Sequence, residues 1–452
     1  MDSGLGIQAI GAPASATPRW NRAATGAILA VATGVALHLL LAWVYANLIV
    51  QVFSGQVIAE RAFNLSGMAA LAITIVACAA TGAYCTARPG AGGLLFALQL
   101  TLLVVPLQAL TSAGFYYARP EFSSLVGLSY VLAVAIAGWL PRVRVVPPRR
   151  STALIVVALM VLGGVYLYGA LIAGGAFQRL NFDLSKVYEV RAQFLEEALP
   201  PFGGYLVPWF GYVLNPVLFL VGVRRRSWTL MVLSLALQTL LFGATGFRAF
   251  LFLPLFIAGC AWLGGRRYLP ATLMLGAGAV VVLALLLYAI TDSAVIPSLA
   301  VWRLLVIPAE VHYWYYDYFA TQGHDLLMLT QSVLAPLGHG AQQPIADIIG
   351  RAYVGGTESA NVGLFGDAYA NFGVLGCIAF AVLAALLVSV LDALGRNLPR
   401  WLAAGLVGAP ALTLVNSGLL TTLGTHGLAL LLVVLWLLQP RSGPRAVASA
   451  SA

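Results

Sequence analysis

The chain has 452 residues, of which 61% are hydrophobic and only 9% charged, and its mean hydropathy is +0.93. Soluble folds keep apolar residues on one face of each element, and porin-type strands alternate; unbroken apolar runs of about 20 residues, as found here, match bilayer-crossing helices instead. The formal net charge of +9 sits in short arginine clusters at the ends of these runs, so it reads as membrane topology and not as a nucleic-acid footprint.

Residues 1–25 form a polar, small-residue tail without a cleavable signal core, so the first apolar run is expected to act as the insertion signal. Twelve runs follow, at 26–50, 65–84, 92–114, 123–140, 152–174, 204–222, 227–243, 247–264, 270–290, 362–390, 400–418 and 424–439. They predict an all-α polytopic membrane protein with one transmembrane domain over 26–440 and a second tail at 441–452. Of the 24 basic residues, 16 fall in alternate connections with only Asp2 and Asp392, giving +14, while the other side sums to −5. The positive-inside rule then places both termini in the cytoplasm and the acidic side outside. The 23 arginines against one lysine suggest a GC-rich genome rather than a mechanism.

No inner connection exceeds roughly a dozen residues, too little for a cytoplasmic nucleotide-binding domain. Walker, GxGxxG and Asp-x-Asp signatures are absent from the sequence. Cys78, Cys85, Cys260 and Cys377 lie in or beside apolar runs, without metal-ligand spacing or a disulfide framework. No metal and no cofactor are expected.

The outer side holds two polar stretches. The shorter, 175–203, carries Arg179, Asp183, Lys186, Glu189, Arg191, Glu196 and Glu197, and residues 187–198 predict an amphipathic helix on the membrane surface. The turn GATGFRA places Arg248 at the same level. The longer stretch, 291–361, opens with LAVWRLLVIPAEVHYWYYDYF (299–319), whose six aromatics in 313–319 suit an interfacial or re-entrant helix kinked at Pro308. That aromatic run fits a headgroup belt or a sugar-stacking surface. A second helical piece is expected at 324–337, and Asn361, Asp367 and Asn371 are expected to face a water-filled cavity.

Arg179, Arg191, Arg248, Arg303 and Arg351 come from separate parts of the chain. If several meet at headgroup level they form a site for phosphate, which a guanidinium grips with a planar fork and a permanent charge. Taken singly, each reads as a headgroup anchor or an ion-pair partner. Glu310, Asp317, His312 and Glu189 are the candidate general bases, with His339 a further loop histidine. Glu310 and Asp317, seven residues apart, share a helical face, whereas His312 lies about 160° from Glu310 at 100° per residue. His38 and His426, in or at the ends of runs, read as structural.

Four groups of segments resemble the Wzy-type oligosaccharide repeat-unit polymerases of bacterial surface-polysaccharide assembly. They are KVYEVRAQF (186–194), NPVLFLVGVRRR (215–226) with LLFGATGFRAFLF (240–252), RLLVIPAEVHYWYYDYF (303–319) and IADIIGRAYVGGTESANVGLFGDAYANFGVLG (345–376). The resemblance implies a GT-C-like fold of about twelve spans with two periplasmic loops bearing interfacial helices. It also implies a metal-independent transferase of the inner membrane, acting on undecaprenyl-diphosphate-linked oligosaccharides at the periplasmic face, with a flippase and a chain-length regulator as partners and no nucleic acid. Arg191, Arg248 and Arg303 would take the family's periplasmic arginine roles, and Tyr316 and Asp317 those of its Tyr-Asp pair. Tyr188, Asn361, Asp367, Arg179 and Arg351 complete the expected substrate-binding set. Arg191 precedes Gly203 and Gly204 at a shorter interval than in several members, which leaves the pairing of donor and acceptor loops open. An O-antigen ligase and a lipid-linked-glycan flippase or transporter remain alternatives.

Overall fold

The computed structural model describes residues 19–53, 65–332 and 343–440 apart from positions 142, 185, 356 and 357. His339 and most of the two tails lie outside the described residues. The described chain is helical throughout. In order, the helices are α1 (Asn21–Val52), α2 (Leu65–Ala87), α3 (Ala91–Ala113), α4 (Pro120–Trp139), α5 (Arg150–Ala173), α6 (Val187–Gln193), α7 (Gly203–Arg225), α8 (Trp228–Thr245), α9 (Arg248–Gly264), α10 (Leu269–Thr291), α11 (Val295–Thr321), α12 (Ile345–Tyr353), α13 (Leu364–Gly395), α14 (Arg400–Asn416), α15 (Leu419–Gly424) and α16 (Leu428–Leu437). Ten of them are long and apolar enough to cross a membrane. The architecture is that of a polytopic membrane protein.

The hub is α3, whose apolar window is buried on every side. Its sequence explains this: it has no charge, small residues at Gly92 and Gly93, and amide and hydroxyl side chains that bond to neighbours. Gln99 donates to the Ala411 carbonyl (3.2 Å) and Gln108 to that of Ser123 (2.7 Å). His38 of α1 lies between Thr74 of α2 (2.9 Å) and Ser112 of α3 (2.8 Å), which bears out its structural reading. Hydrocarbon offers no competing partners, so such bonds tie helices together. A second, smaller apolar core gathers Leu167, Leu171, Val187, Phe194, Phe210, Phe242 and Phe250, and it seats α6 on α5, α7, α8 and α9.

Nine of the twelve expected runs appear as long apolar helices. The other three are shorter: α9 and α14 have 17 residues each, and the last run is represented by the ten-residue α16, which begins after a turn at Gly427 (φ +79°).

The tenth long helix is α11, within the stretch read as an outer loop. Its composition would let it cross, but its contacts keep both ends at one end of the bundle. Trp302 stacks on Phe53 beyond α1 (4.4 Å), and Asp317 faces Arg119 in the α3–α4 turn (3.8 Å). Between them Tyr313 donates to the Leu107 carbonyl, less than two turns from the same end of α3 (2.9 Å). The helix therefore runs across the bundle and dips only partway. Pro308 does not interrupt it; the π-helical stretch Ser298–Val306 changes register just ahead of the proline and the helix continues.

The expected helix at 324–337 does not form in its described part, where Met328 and Leu329 are left-handed (φ 48° and 62°). That segment instead repairs a kink in α13 at Phe372 and Gly373 (φ +61°). The amides of Leu327 and Met328 donate to the carbonyls of Ala370 (2.9 Å) and Asn371 (3.2 Å), and the Leu329 amide donates to Asn371 Oδ1 (2.9 Å).

Candidate functional site

Two of the five candidate arginines meet on one side chain, Tyr188, and a third stacks on the residue that precedes one of them. The Arg303 guanidinium donates to the Tyr188 hydroxyl (3.2 Å), and that of Arg248 lies over the Tyr188 ring, 4.9 Å from its centre. Arg191, one turn along α6, lies over Phe247 at 4.6 Å, next to Arg248 in sequence. Contacts shared through one tyrosine keep Arg248 and Arg303 on the order of 10 Å apart, about the screening length at 0.1 M salt. Tyr188, Glu189, Arg191 and Arg303 are exposed and Arg248 is half-buried, so the cluster is wet.

The placement follows from local structure. Val187 and Phe194 bury in the smaller core and turn Tyr188, Glu189 and Arg191 outward. Gly246, at φ +68°, closes the α8–α9 turn against α6 so tightly that a Cβ would lie 2.6 Å from the Val187 carbonyl oxygen. Only glycine takes both that conformation and that approach. Arg248 also donates to the Leu184 carbonyl (3.0 Å), which ties the loop down. The three segments are distant in sequence, and each is fixed separately.

Arg179 and Arg351 do not join them. Arg179 is exposed and paired with Glu197, and Arg351 on α12 bonds to Gln343 and to the Asp347 carbonyl. Each of the two has a local partner within its own loop, and no contact among the described residues links either one to Tyr188.

Asp317 belongs to a second cluster. Besides Arg119, its carboxylate accepts from Tyr353 (2.8 Å) and Gln322 (3.2 Å). Burial, then the hydrogen bond and charge of Asp317, push the Tyr353 hydroxyl above the ordinary tyrosine value; burial and Asp317 push Tyr117 the same way. Tyr316 stacks on Phe122 and donates to Glu121 (3.4 Å), so it sits here as well. Fourteen residues along α11 separate Asp317 from Arg303, about 20 Å at 1.5 Å per residue. Glu310 and His312 lie between them, both fully buried, with His312 Nδ1 2.6 Å from the Pro308 carbonyl oxygen. Glu189 alone among the four candidate bases shares a helix with Tyr188 and Arg191.

The aromatic run 313–319 is neither belt nor open platform. Tyr313, Trp314, Tyr315 and Phe319 are buried, and Trp314 stacks on Tyr353 (5.9 Å). Asn371 also differs from expectation. Among the described residues Asn371 donates to Asp367 (3.2 Å) and is itself packed beneath the 326–329 return, while Asp367 is half-buried. Asn361 is exposed.

Sequence reading missed Arg119, Tyr117 and Tyr353. The signal for the first two was present in FYYARPEF (115–122), a short turn dense in aromatics and charge between two apolar runs. At the same end of the bundle an apolar groove of about 650 Å³ is lined by Tyr166, Phe202, Tyr205, Leu206 and Trp209. Trp209 is three residues from Tyr212, whose ring packs on Phe250, two residues from Arg248. No protein-family model, curated protein or solved structure matches the chain.

Proposed function

We propose that the protein is a glycosyltransferase that polymerises undecaprenyl-diphosphate-linked oligosaccharide repeat units at the periplasmic face of the bacterial inner membrane, on a GT-C-like plan. The observation that carries this reading is the meeting of Arg248 and Arg303 on Tyr188, with Arg191 one turn along the same helix and stacked on Phe247 beside Arg248. A diphosphate held there would find preorganised positive charge where its own charge grows as it departs. The apolar groove beside Trp209 suits the isoprenoid tail. In the reaction, the bond between the anomeric carbon and the diphosphate oxygen breaks and the lipid diphosphate leaves. The acceptor hydroxyl oxygen bonds to that carbon, and its proton passes to a carboxylate. Glu189, the candidate base that shares α6 with Tyr188 and Arg191, takes that proton in this reading, in place of Asp317 or Glu310.

A flippase or transporter is the second reading, favoured by the interruption between α15 and α16, a feature of transport helices. The test is extension of a purified lipid-linked repeat unit by the purified protein. A ladder of longer glycans supports the polymerase; translocation in proteoliposomes without extension supports the transporter; transfer only to a lipid A core makes it a ligase.

A further inference from the structure

At the arginine-rich end, opposite the cluster around Tyr188, lies a cavity of about 730 Å³. Arg22, Arg88, Arg396 and Arg400 line it, brought there by the start of α1, the α2–α3 turn and the α13–α14 turn. Basic residues at this end are expected from topology alone. Their convergence on one cleft is not, because like charges spread apart unless something holds them together.

The protein satisfies part of this charge itself. Arg88 donates to the carbonyls of Ala137 (2.9 Å) and Leu140 (2.8 Å). Asp392, the acidic residue among those lining the cavity, accepts from the Tyr84 hydroxyl (2.7 Å) and the Gly92 amide (2.8 Å). Arg396 and Arg400 are exposed at the rim, and no hydrogen bond or ion pair to their guanidiniums is seen among the described residues. Ser389, one turn before Asp392, lines the cavity with a hydroxyl that is buried and has no partner among the described residues. The first turn of α14 also borders it, and no side chain caps that end. Arginine forks, a hydroxyl donor and an uncapped helix start together describe a receptor for a phosphate group.

We infer that this cavity binds a phosphate-bearing anion through Arg396, Arg400 and Ser389. Its volume exceeds that of phosphate alone and suits a phosphoglycerol headgroup or a soluble phosphorylated molecule. The site is independent of the proposed glycan chemistry at the other end.

The test uses the full-length protein in nanodiscs of phosphatidylcholine, alone or with phosphatidylglycerol, and separately with inorganic pyrophosphate. Thermal unfolding and native mass spectrometry report binding. Either probe is expected to raise the unfolding midpoint of the wild type. The Arg396→Gln/Arg400→Gln variant is expected to bind at least tenfold more weakly, and Ser389→Ala, which keeps every charge, severalfold more weakly. An Arg224→Gln/Arg225→Gln variant, charge-matched and outside the cavity lining, is expected to bind as wild type. Response to phosphatidylglycerol alone identifies a lipid headgroup as the ligand; response to pyrophosphate identifies a soluble one. The inference is overturned if neither probe binds, or if the Arg224/Arg225 variant loses as much affinity as the cavity variant.

Discussion

Replacing Arg303 with alanine tests the arginine cluster most directly. The side chain is exposed, and its hydrogen bond among the described residues is to the Tyr188 hydroxyl at 3.2 Å, so its loss leaves no cavity in the core. A hydrogen bond between a guanidinium and a phosphate oxygen contributes about 1.5–3 kcal/mol. Losing one should lower kcat/KM for glycan extension by roughly 10- to 150-fold. Tyr188→Phe removes only the hydroxyl that positions Arg303 and leaves the ring beneath Arg248. A neutral-site bond of that kind contributes about 0.5–1.5 kcal/mol, or roughly a 2- to 12-fold loss. The two changes should not add: once Arg303 is gone, the hydroxyl has no guanidinium to orient, so the double variant should resemble Arg303→Ala. Arg179→Ala is the control. Its pair with Glu197 is exposed, and such pairs contribute about 0–1 kcal/mol, so activity should stay near wild type. Initial rates from resolved glycan ladders, normalised to folded protein, measure all four variants. The reasoning fails if Arg303→Ala extends glycan within twofold of wild type, or if Arg179→Ala is equally damaged.

Three further outcomes follow from the packing. Gly246→Ala should keep the protein folded yet impair extension as severely as an arginine variant, because a Cβ at φ +68° would push α6 and its Tyr188 away from Arg248; activity per folded molecule and a thermal melt separate the two effects. His38→Leu should cost about 1–2 kcal/mol of stability, from two interhelical bonds at roughly 0.6 kcal/mol or more each, without changing the specific activity of the folded fraction. Tyr353 is held protonated above its ordinary value, so its contribution to stability is complete below about pH 10 and declines as pH rises from there. Thermal midpoints between pH 8 and 11 should therefore fall less steeply in Tyr353→Phe than in wild type.

Most of the membrane architecture was legible from hydropathy, because an apolar run of the right length has few alternatives. The lateral course of α11 was only half legible. Its mean hydropathy passes for a spanning helix, and its charges at Arg303, Glu310 and Asp317 argue otherwise. The contacts at Phe53 and Arg119 decide between them, and pairing across such sequence distances is not written in any local pattern. The same limit hid the partners of Asp317, since Arg119 and Tyr353 lie in different connections. It also made the aromatic run 313–319 look like surface. Aromatics crowd an interface and a buried crossing helix for the same reason, namely large apolar area with a polar tip, and only packing separates the two cases.

The course of α11 has a chemical consequence. A helix with both ends at the same face of a bundle separates its termini by its own length, here about 20 Å between Arg303 and Asp317. The two ends therefore cannot serve one bond-making centre. Asp317 faces Arg119 and accepts from Tyr353 and Gln322, so its charge is already answered. Among the described residues Arg303 has no carboxylate partner; it donates to a phenol that a second guanidinium also contacts, so positive charge there stays available. An anionic ligand is drawn to the second end and not the first. If the protein extends lipid-linked glycans as proposed, that spacing is of the order of several linked sugars, and the Asp317 end would hold the far part of an extended glycan while the diphosphate lies among the arginines. On that geometry, Asp317→Asn should act mainly on KM for long acceptors and leave kcat for short ones nearly intact, whereas Glu189→Gln should lower kcat for both.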